Sequence, residues 1–377
     1  MNIINKNLQV TENHRFPFEG EKHSATVVML PYRKDTWRNK AAEALDEFCE
    51  LVKTISLFEP VLVIIDPRID SETVKRFSIP NTVIYRIRYD DSWARDIAPV
   101  FMVDDKEELL AVDFGFNAWG GECDGLYKDY GDDNAFGKNL ALELAVKRCP
   151  KKDFVLEGGS ILTDGRGTII TTECCLLSKG RNPSLSKEEI EYELKTSLNA
   201  EKVIFLPNGI YEDETDGHVD NIVSFLDPHT IALAFTDDVN DPQYALSMED
   251  LAVLENATDA EGNRYDIVGL PLPKPLYLQP EEEIGLEKDE RAVDRRAGGR
   301  LAASYCNLYQ GEDFVIVPKF NVEEDEQAYR ILSDFYKGKK KVIQIYSREI
   351  LLGGGNIHCV TKEIPYSNLG YPFKENL

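Results

Sequence analysis

The sequence predicts a mixed α/β fold in one domain, on three observations. Strand-like and helix-like stretches alternate along the whole chain. Units of strands plus a helix recur about every 70 residues without sequence identity between them, so the repeat is one of structure. No linker separates two compositions.

The elements follow in order. Ala41 to Ser56 puts Leu45, Phe48, Leu51, Val52 and Ile55 on one helical face. Val61 to Ile65 and Val83 to Ile87 read as short strands. Phe154 to Leu162 and Thr168 to Leu177 read as two strands joined by Asp164-Gly165-Arg166-Gly167, a turn signal. Ser186 with Glu189 forms a capping box that opens a helix through Leu198. Val203 to Leu206 is a strand. Val219 to Leu226 and Thr230 to Phe235 form another strand pair around Asp227-Pro228-His229. Glu324 to Lys337 is an amphipathic helix ended by Gly338, with a strand at Val342 to Tyr346 behind it. Residues 1–15 are an N-terminal extension. Residues 280–299 are dense in charge and read as an exposed, mobile loop that could close as a lid.

Composition narrows the function classes. At 377 residues the chain can bury a large core. Its formal charge of −24 repels nucleic acid and anionic membranes and attracts cations. No apolar run approaches the ~20 residues that span a bilayer. Met1 to Asn7 shows no basic region followed by an apolar stretch, so no signal peptide is expected. The seven cysteines form no CxxC pair, which argues against a thiolate zinc site. The expected setting is the cytoplasm, with reduced thiols.

Five runs could carry chemistry. Gly353-Gly354-Gly355-Asn356-Ile357-His358-Cys359 ends on a thiol. Its glycines, Gly354 among them, permit close backbone approach to a ligand. No Gly-Lys-Ser/Thr follows, so a phosphate cradle is excluded. Cys359 attacks only as thiolate, and nearby carboxylates would oppose its ionisation unless a cation binds beside it. In Asp216-Gly217-His218-Val219-Asp220, an extended chain would point His218 and Asp220 to one face. The His can move protons, and the acid can take a bidentate hydrogen bond from a guanidinium. A surface His-Asp pair fits the same run, and two zinc ligands alone make no site. Glu157 lies between an apolar strand and Gly158-Gly159, which suggests a pocket. Asp96 follows Trp93-Ala94-Arg95, where ring and acid together could bind a cation, or Arg95 could simply pair with the acid. Trp119, before Gly120-Gly121, could line a site or belong to the core.

With these runs in order, the chain resembles the agmatine deiminases of the guanidino-group-modifying (pentein) superfamily, from about Phe16 to Lys362. Further matching runs are Phe116 to Gly121, Thr171 to Leu177, Gly180-Arg181-Asn182-Pro183 and Leu301 to Tyr305. The resemblance implies a pentein α/β propeller of five ββαβ-like modules around a pseudo-fivefold axis. It implies that Cys359 attacks the guanidinium carbon and that Asp96, Glu157 and Asp220 hold guanidinium nitrogens. His218 would protonate the departing ammonia and then activate water. Glu214 looks like the family's acid for the far amine of agmatine, with Trp93 and Trp119 lining the channel. No metal or organic cofactor is implied, and a homo-oligomer is usual. Arg95 is the one basic residue counted within these motifs, which favours agmatine over free arginine, although loops elsewhere could supply an Arg. The chain departs from many relatives at Asp216, Asn221 and Leu30, near the catalytic positions and not at them. The alternatives are a deiminase of another guanidino compound or of peptidyl-arginine, a non-enzymatic binder of cationic amines, and a Cys-His peptide hydrolase.

Overall fold

A computed structural model describes residues 9–368. The first eight residues of the predicted N-terminal extension therefore lie outside the described residues. The rest of that segment runs into an antiparallel bridge between Arg15 and Val103.

Among the described residues the strands form five sheets. Four have three strands and one plan: an antiparallel hairpin, then a helix, then a third strand parallel to the second. Their first strands are Val100–Val103, Ile161–Thr163, Val223–Asp227 and Tyr309–Gln310. The crossover helices are Gly131–Glu143, Lys187–Leu198, Pro242–Asn256 and Glu324–Phe335. The parallel step needs such a crossover, because a tight turn cannot bring the chain back in the same direction. The fifth sheet runs Thr361–Pro365, His23–Met29, Val61–Ile65, Thr82–Arg86, with Ala42–Ser56 as its crossover. Its first strand is the last of the chain, paired antiparallel to His23–Met29.

Most predicted elements stand within a residue or two. The capping box at Ser186 and Glu189 is formed in both directions. Gly165 and Gly167 take positive φ in the predicted hairpin turn. Strands buried on both faces, such as Val61–Ile65, explain the continuous apolar runs.

Two predicted strands are corrected. Phe154 to Leu162 is broken: the strand ends at Val155, a 3₁₀ turn spans Gly158–Ser160, and a new strand starts at Ile161. Thr168 to Leu177 keeps strand only to Thr172, then turns into the helix Glu173–Leu176. The segment 280–299 is also tied down more than an exposed loop would be. Lys128 N–H donates to the Arg291 carbonyl and Val293 N–H to the Leu126 carbonyl, both at 2.9 Å. Among the described residues no helix is long and apolar enough to cross a membrane.

Candidate active site

The reactive residues occupy the same place in each unit, the tight turn just before the first strand. Asp96 sits on Ala94–Ile97, ahead of Val100–Val103. Glu157 caps Gly158–Ser160, ahead of Ile161–Thr163. His218 and Asp220 precede Val223–Asp227. Cys359 lies in a turn before Thr361–Pro365. The fifth unit supplies Asn307, before Tyr309–Gln310. All five predicted catalytic residues are buried and brought together.

The predicted strand through His218 and Asp220 is a helical turn, Val219–Ile222. Gly217 at φ +89° reverses the chain. The Asp213 carboxylate then accepts from His218 N–H at 3.2 Å and from Asn221 Nδ2 at 3.1 Å. This side chain offers the backbone an alternative to a ladder, so the strand begins only at Val223. The two side chains still converge. A Cβ on Gly159 would lie 2.7 Å from Asp96 Oδ1, 2.7 Å from His218 Nδ1 and 2.9 Å from Asp220 Oδ2. Gly159 is thus the bare floor around which three reactive groups meet.

Around the thiol, Asn307 Nδ2 donates to Cys359 Sγ at 3.2 Å. Asn307 Oδ1 accepts from His358 N–H at 2.9 Å, so one amide fixes both the turn and the sulfur. Asp220 Oδ2 is 3.9 Å from Sγ and 2.8 Å from His358 Nδ1. Trp119 donates its indole N–H to Asp96 Oδ2 at 3.0 Å. Ala118 and Trp119 both hold positive φ to deliver that ring, a local strain at the site wall. Trp93 stacks on Trp37 and meets Trp119 edge-on. Trp93 and Trp119 therefore serve as core and as cavity wall at once.

The charges are arranged for a cation. Burial, with Asp220 and Glu157 nearby, pushes the Asp96 carboxyl up to about 6, against the pull of His218. Burial and the carboxylates of Asp220 and Asp96 hold the Cys359 thiol well above its ordinary value. Both shifts are relieved by a positive charge placed between these groups. Both oxygens of Glu157, Oδ1 of Asp220 and Nε2 of His218 have no hydrogen-bond partner. Arg181 Nε lies 2.9 Å from Glu157 Oε1, but off line for a hydrogen bond, so that contact is one of charge.

Three arginines revise the expectation that Arg95 is the basic residue of the motifs. Arg95 points away from Asp96 and pairs with Glu19 at 2.7 Å and Glu363 at 2.6 Å. Arg181 backs Glu157 and also holds Asp216 at 2.7 Å. Arg295, from the 280–299 segment, grips Glu214. A Cβ on Gly354 would lie 2.7 Å from both Glu214 Oε2 and Arg295 Nη2, which puts Gly354 at this end of the cavity.

The ligand atoms of Glu157, Cys175 and His218 lie within 4.8 Å of one another, the one His/Cys/Asp/Glu cluster of metal-binding size among the described residues. Burial holds the Cys175 thiol well above its ordinary value, and Arg181 stands against Glu157, so the set fits a divalent cation poorly. A larger cavity, about 350 Å³, lies elsewhere beside His23, Glu59 and Phe314. It is lined by no cysteine, so the thiol chemistry points to the small cavity at Cys359.

The family model of the Porphyromonas-type peptidyl-arginine deiminases matches residues 15–365. The chain belongs to this family. A Listeria monocytogenes relative named "Putative agmatine deiminase 1" is 44% identical over 94% of this chain and 97% of its own. The structure is similar to that of the agmatine deiminase of Enterococcus faecalis, with a TM-score of 0.91 and 35% identity over 94% of this chain and 96% of that one. A cysteine-to-serine agmatine deiminase from C. jejuni, with substrate bound, gives a TM-score of 0.80 and 30% identity over 94% and 97%. The mixed α/β fold is that of these enzymes.

Sequence reasoning missed Asn307, Arg181 and Arg295 as site residues. Asn307 could have been found by asking what each repeat places just before its first strand. Arg181 lay inside a matching run but was not weighed as a charge. Arg295 carried no local signal.

Proposed function

We propose that this protein hydrolyses agmatine to N-carbamoylputrescine and ammonia. The observation that carries this reading is the buried cluster of three acids, a histidine and a thiol in which Glu157, Asp220 and His218 leave polar atoms unpaired among the described residues. Such atoms are costly unless a ligand satisfies them. The relatives bear the name of this activity.

In this reading Asp96, Glu157 and Asp220 take the guanidinium N–H groups. The cation brings down the pKa of Cys359, and the thiolate attacks the guanidinium carbon. A C–S bond forms, His218 gives a proton to one nitrogen, and the C–N bond breaks to release ammonia. A thiouronium-type intermediate remains on Cys359. His218 then takes a proton from water as the oxygen adds, the C–S bond breaks and the ureido product leaves. Asn307 steadies the sulfur throughout. Glu214 receives the far ammonium, and Trp93, Trp119 and Gly354 shape the path to it.

A peptidyl-arginine substrate, which the family model's description suggests, is less well served. The 292–295 segment lies over Trp119 and Glu214, and a polypeptide would need an open approach. The shared placement of site residues in five like units supports a propeller of five modules about a pseudo-fivefold axis, acting as one catalytic domain over 1–377. The 280–299 segment would be its lid. The seven unpaired thiols suit a reducing cytoplasm. A homo-oligomer is carried over from the resemblance, and sedimentation of the purified protein tests it.

The test of function is release of ammonia and ureido product from agmatine, arginine and an arginine-containing peptide, with Cys359→Ala as the blank. Turnover of agmatine that depends on Cys359 is expected. Turnover of the peptide alone would replace the agmatine reading.

A further inference from the structure

In this structure Arg295 closes the cavity. Its guanidinium makes a fork on Glu214: Nε donates to Oε1 at 3.0 Å and Nη2 to Oε2 at 2.5 Å. It lines the cavity at Cys359, the adjoining space between Trp93 and Tyr127, and an outer pocket by Glu287. One side chain thus stands where inner and outer spaces meet. The inner space has room left for about one water, roughly 20 Å³. A guanidine with an alkyl chain cannot fit while Arg295 stays. Glu214 is also the one acid assigned to the substrate's far amine, and it is already paired.

We infer that Arg295 is the gate of the site and an internal competitor for Glu214: a substrate enters by exchanging its own distal cation for this one. The part about substrate rests on the proposed function; the closure itself rests on geometry alone. Arg295 has somewhere to go. Asp35 and Asp91 line the adjoining space with it. Asp35 already pairs with Arg33 at 2.9 Å and Asp91 accepts from the Trp37 and Trp93 indoles, so Arg295 would share this berth. Against burial, Glu214, Asp91 and Asp35 hold its charge on. The gate would move between two acidic berths, Glu214 when empty and the Asp35 side when loaded. Its carrier is fixed at both ends: Val293 N–H bonds Leu126, and Gly298 N–H bonds Leu278. The exchange therefore needs a side-chain swing and no wholesale opening of the segment.

A dication repays the lost ion pair by forming its own with Glu214. A monocationic alkylguanidine does not, and leaves a carboxylate stranded. Arg295 thereby sets a threshold that a second positive charge overcomes.

The experiment reads closure without turnover. Iodoacetamide alkylation of Cys359 is followed by peptide mass in the full-length protein, with exposed Cys123 as internal reference. If the gate is shut nine-tenths of the time, Arg295→Gln should speed alkylation of Cys359 about tenfold. Arg295→Lys keeps the cation but loses the two-point fork, so its rate should fall between those of the parent and Arg295→Gln. Glu214→Gln should speed alkylation as much, and the double variant no further, because either change opens one gate. An unchanged rate in Arg295→Gln would overturn the inference, as would additive effects. In parallel, agmatine and n-butylguanidine are titrated into Cys359→Ala with and without Arg295→Gln, and both should bind more tightly without the gate. Faster alkylation with no guanidine binding at all would keep the gate and sink the proposed substrate. Weaker guanidine binding in Arg295→Gln would show that Arg295 holds the ligand, and would overturn the gate.

Discussion

Two buried charge clusters meet at Cys359, and they are built on opposite plans. On one side, Arg95 donates to Glu19 and Glu363, His358 bridges Glu19 and Asp220 at 2.8 Å on each nitrogen, and Lys362 pairs with Glu363. There cations match anions. Burial and Arg95 push His358 down, yet Glu19 and Asp220 outweigh them and raise it. On the other side, Asp96, Glu157 and Asp220 stand short of positive charge, and Glu157, His218 and Asp220 keep atoms without hydrogen-bond partners among the described residues. The first cluster is finished by folding. The second is left unfinished for a ligand to complete. Asp220 belongs to both: Oδ2 is spent on His358, and Oδ1 is free.

The largest way to sharpen this contrast is at the thiol. Cys359→Ala should abolish turnover while agmatine still binds, as read by calorimetry; residual turnover would remove covalent catalysis. In the finished cluster, Arg95→Met leaves Glu19 to His358 alone and Glu363 to Lys362 alone, and should cost about 3–5 kcal/mol of stability in denaturant unfolding. Little change there would break the distinction between the two clusters. Asp220→Asn, at the residue the two share, should lose stability through the weakened His358 pair and also cost about 1.5–3 kcal/mol in guanidinium binding, so KM rises about 10- to 100-fold. An unchanged kcat/KM would refute its contact with substrate.

The smallest effect is one of pH, with opposite signs for stability and activity. Asp96 moves from 3.8 to about 6 on folding. A carboxyl raised in this way costs stability once ionised. That cost is fully present above pH 6 and is relieved as pH falls towards 4. Asp96→Asn should therefore gain about 1–3 kcal/mol at pH 7 and nothing at pH 4. Activity runs the other way: kcat/KM should fall about tenfold per unit below pH 6 as Asp96 loses its charge. Parallel trends would exclude Asp96 as the titrating group.

The sequence made the candidate residues legible because each lies in a short distinctive run: Glu157 beside Gly158, His218 beside Gly217, Cys359 after three glycines and Asp96 after Trp93. It hid what depends on the return of distant segments. Glu19 reaches His358 across 339 positions, and Arg295 reaches Glu214 across 81. No periodicity announces either contact. The misread at Val219–Ile222 has another cause: a four-residue helical turn is too short for the 3.6-residue period to show against an alternating apolar pattern. The recurring unit was legible in its spacing, whereas the first sheet, completed by the last strand, was not.

That closure has a consequence for how the protein is made. His23–Met29 is made long before its antiparallel neighbour Thr361–Pro365. Until then one strand edge stays bare, and the pairing that seals it, Val28 with Thr361 for one, is far apart in sequence. Cys359 lies two residues ahead of that strand. A chain still short of it has the acids and the histidine but not the thiol. The reactive sulfur therefore joins its partners only as the first sheet closes.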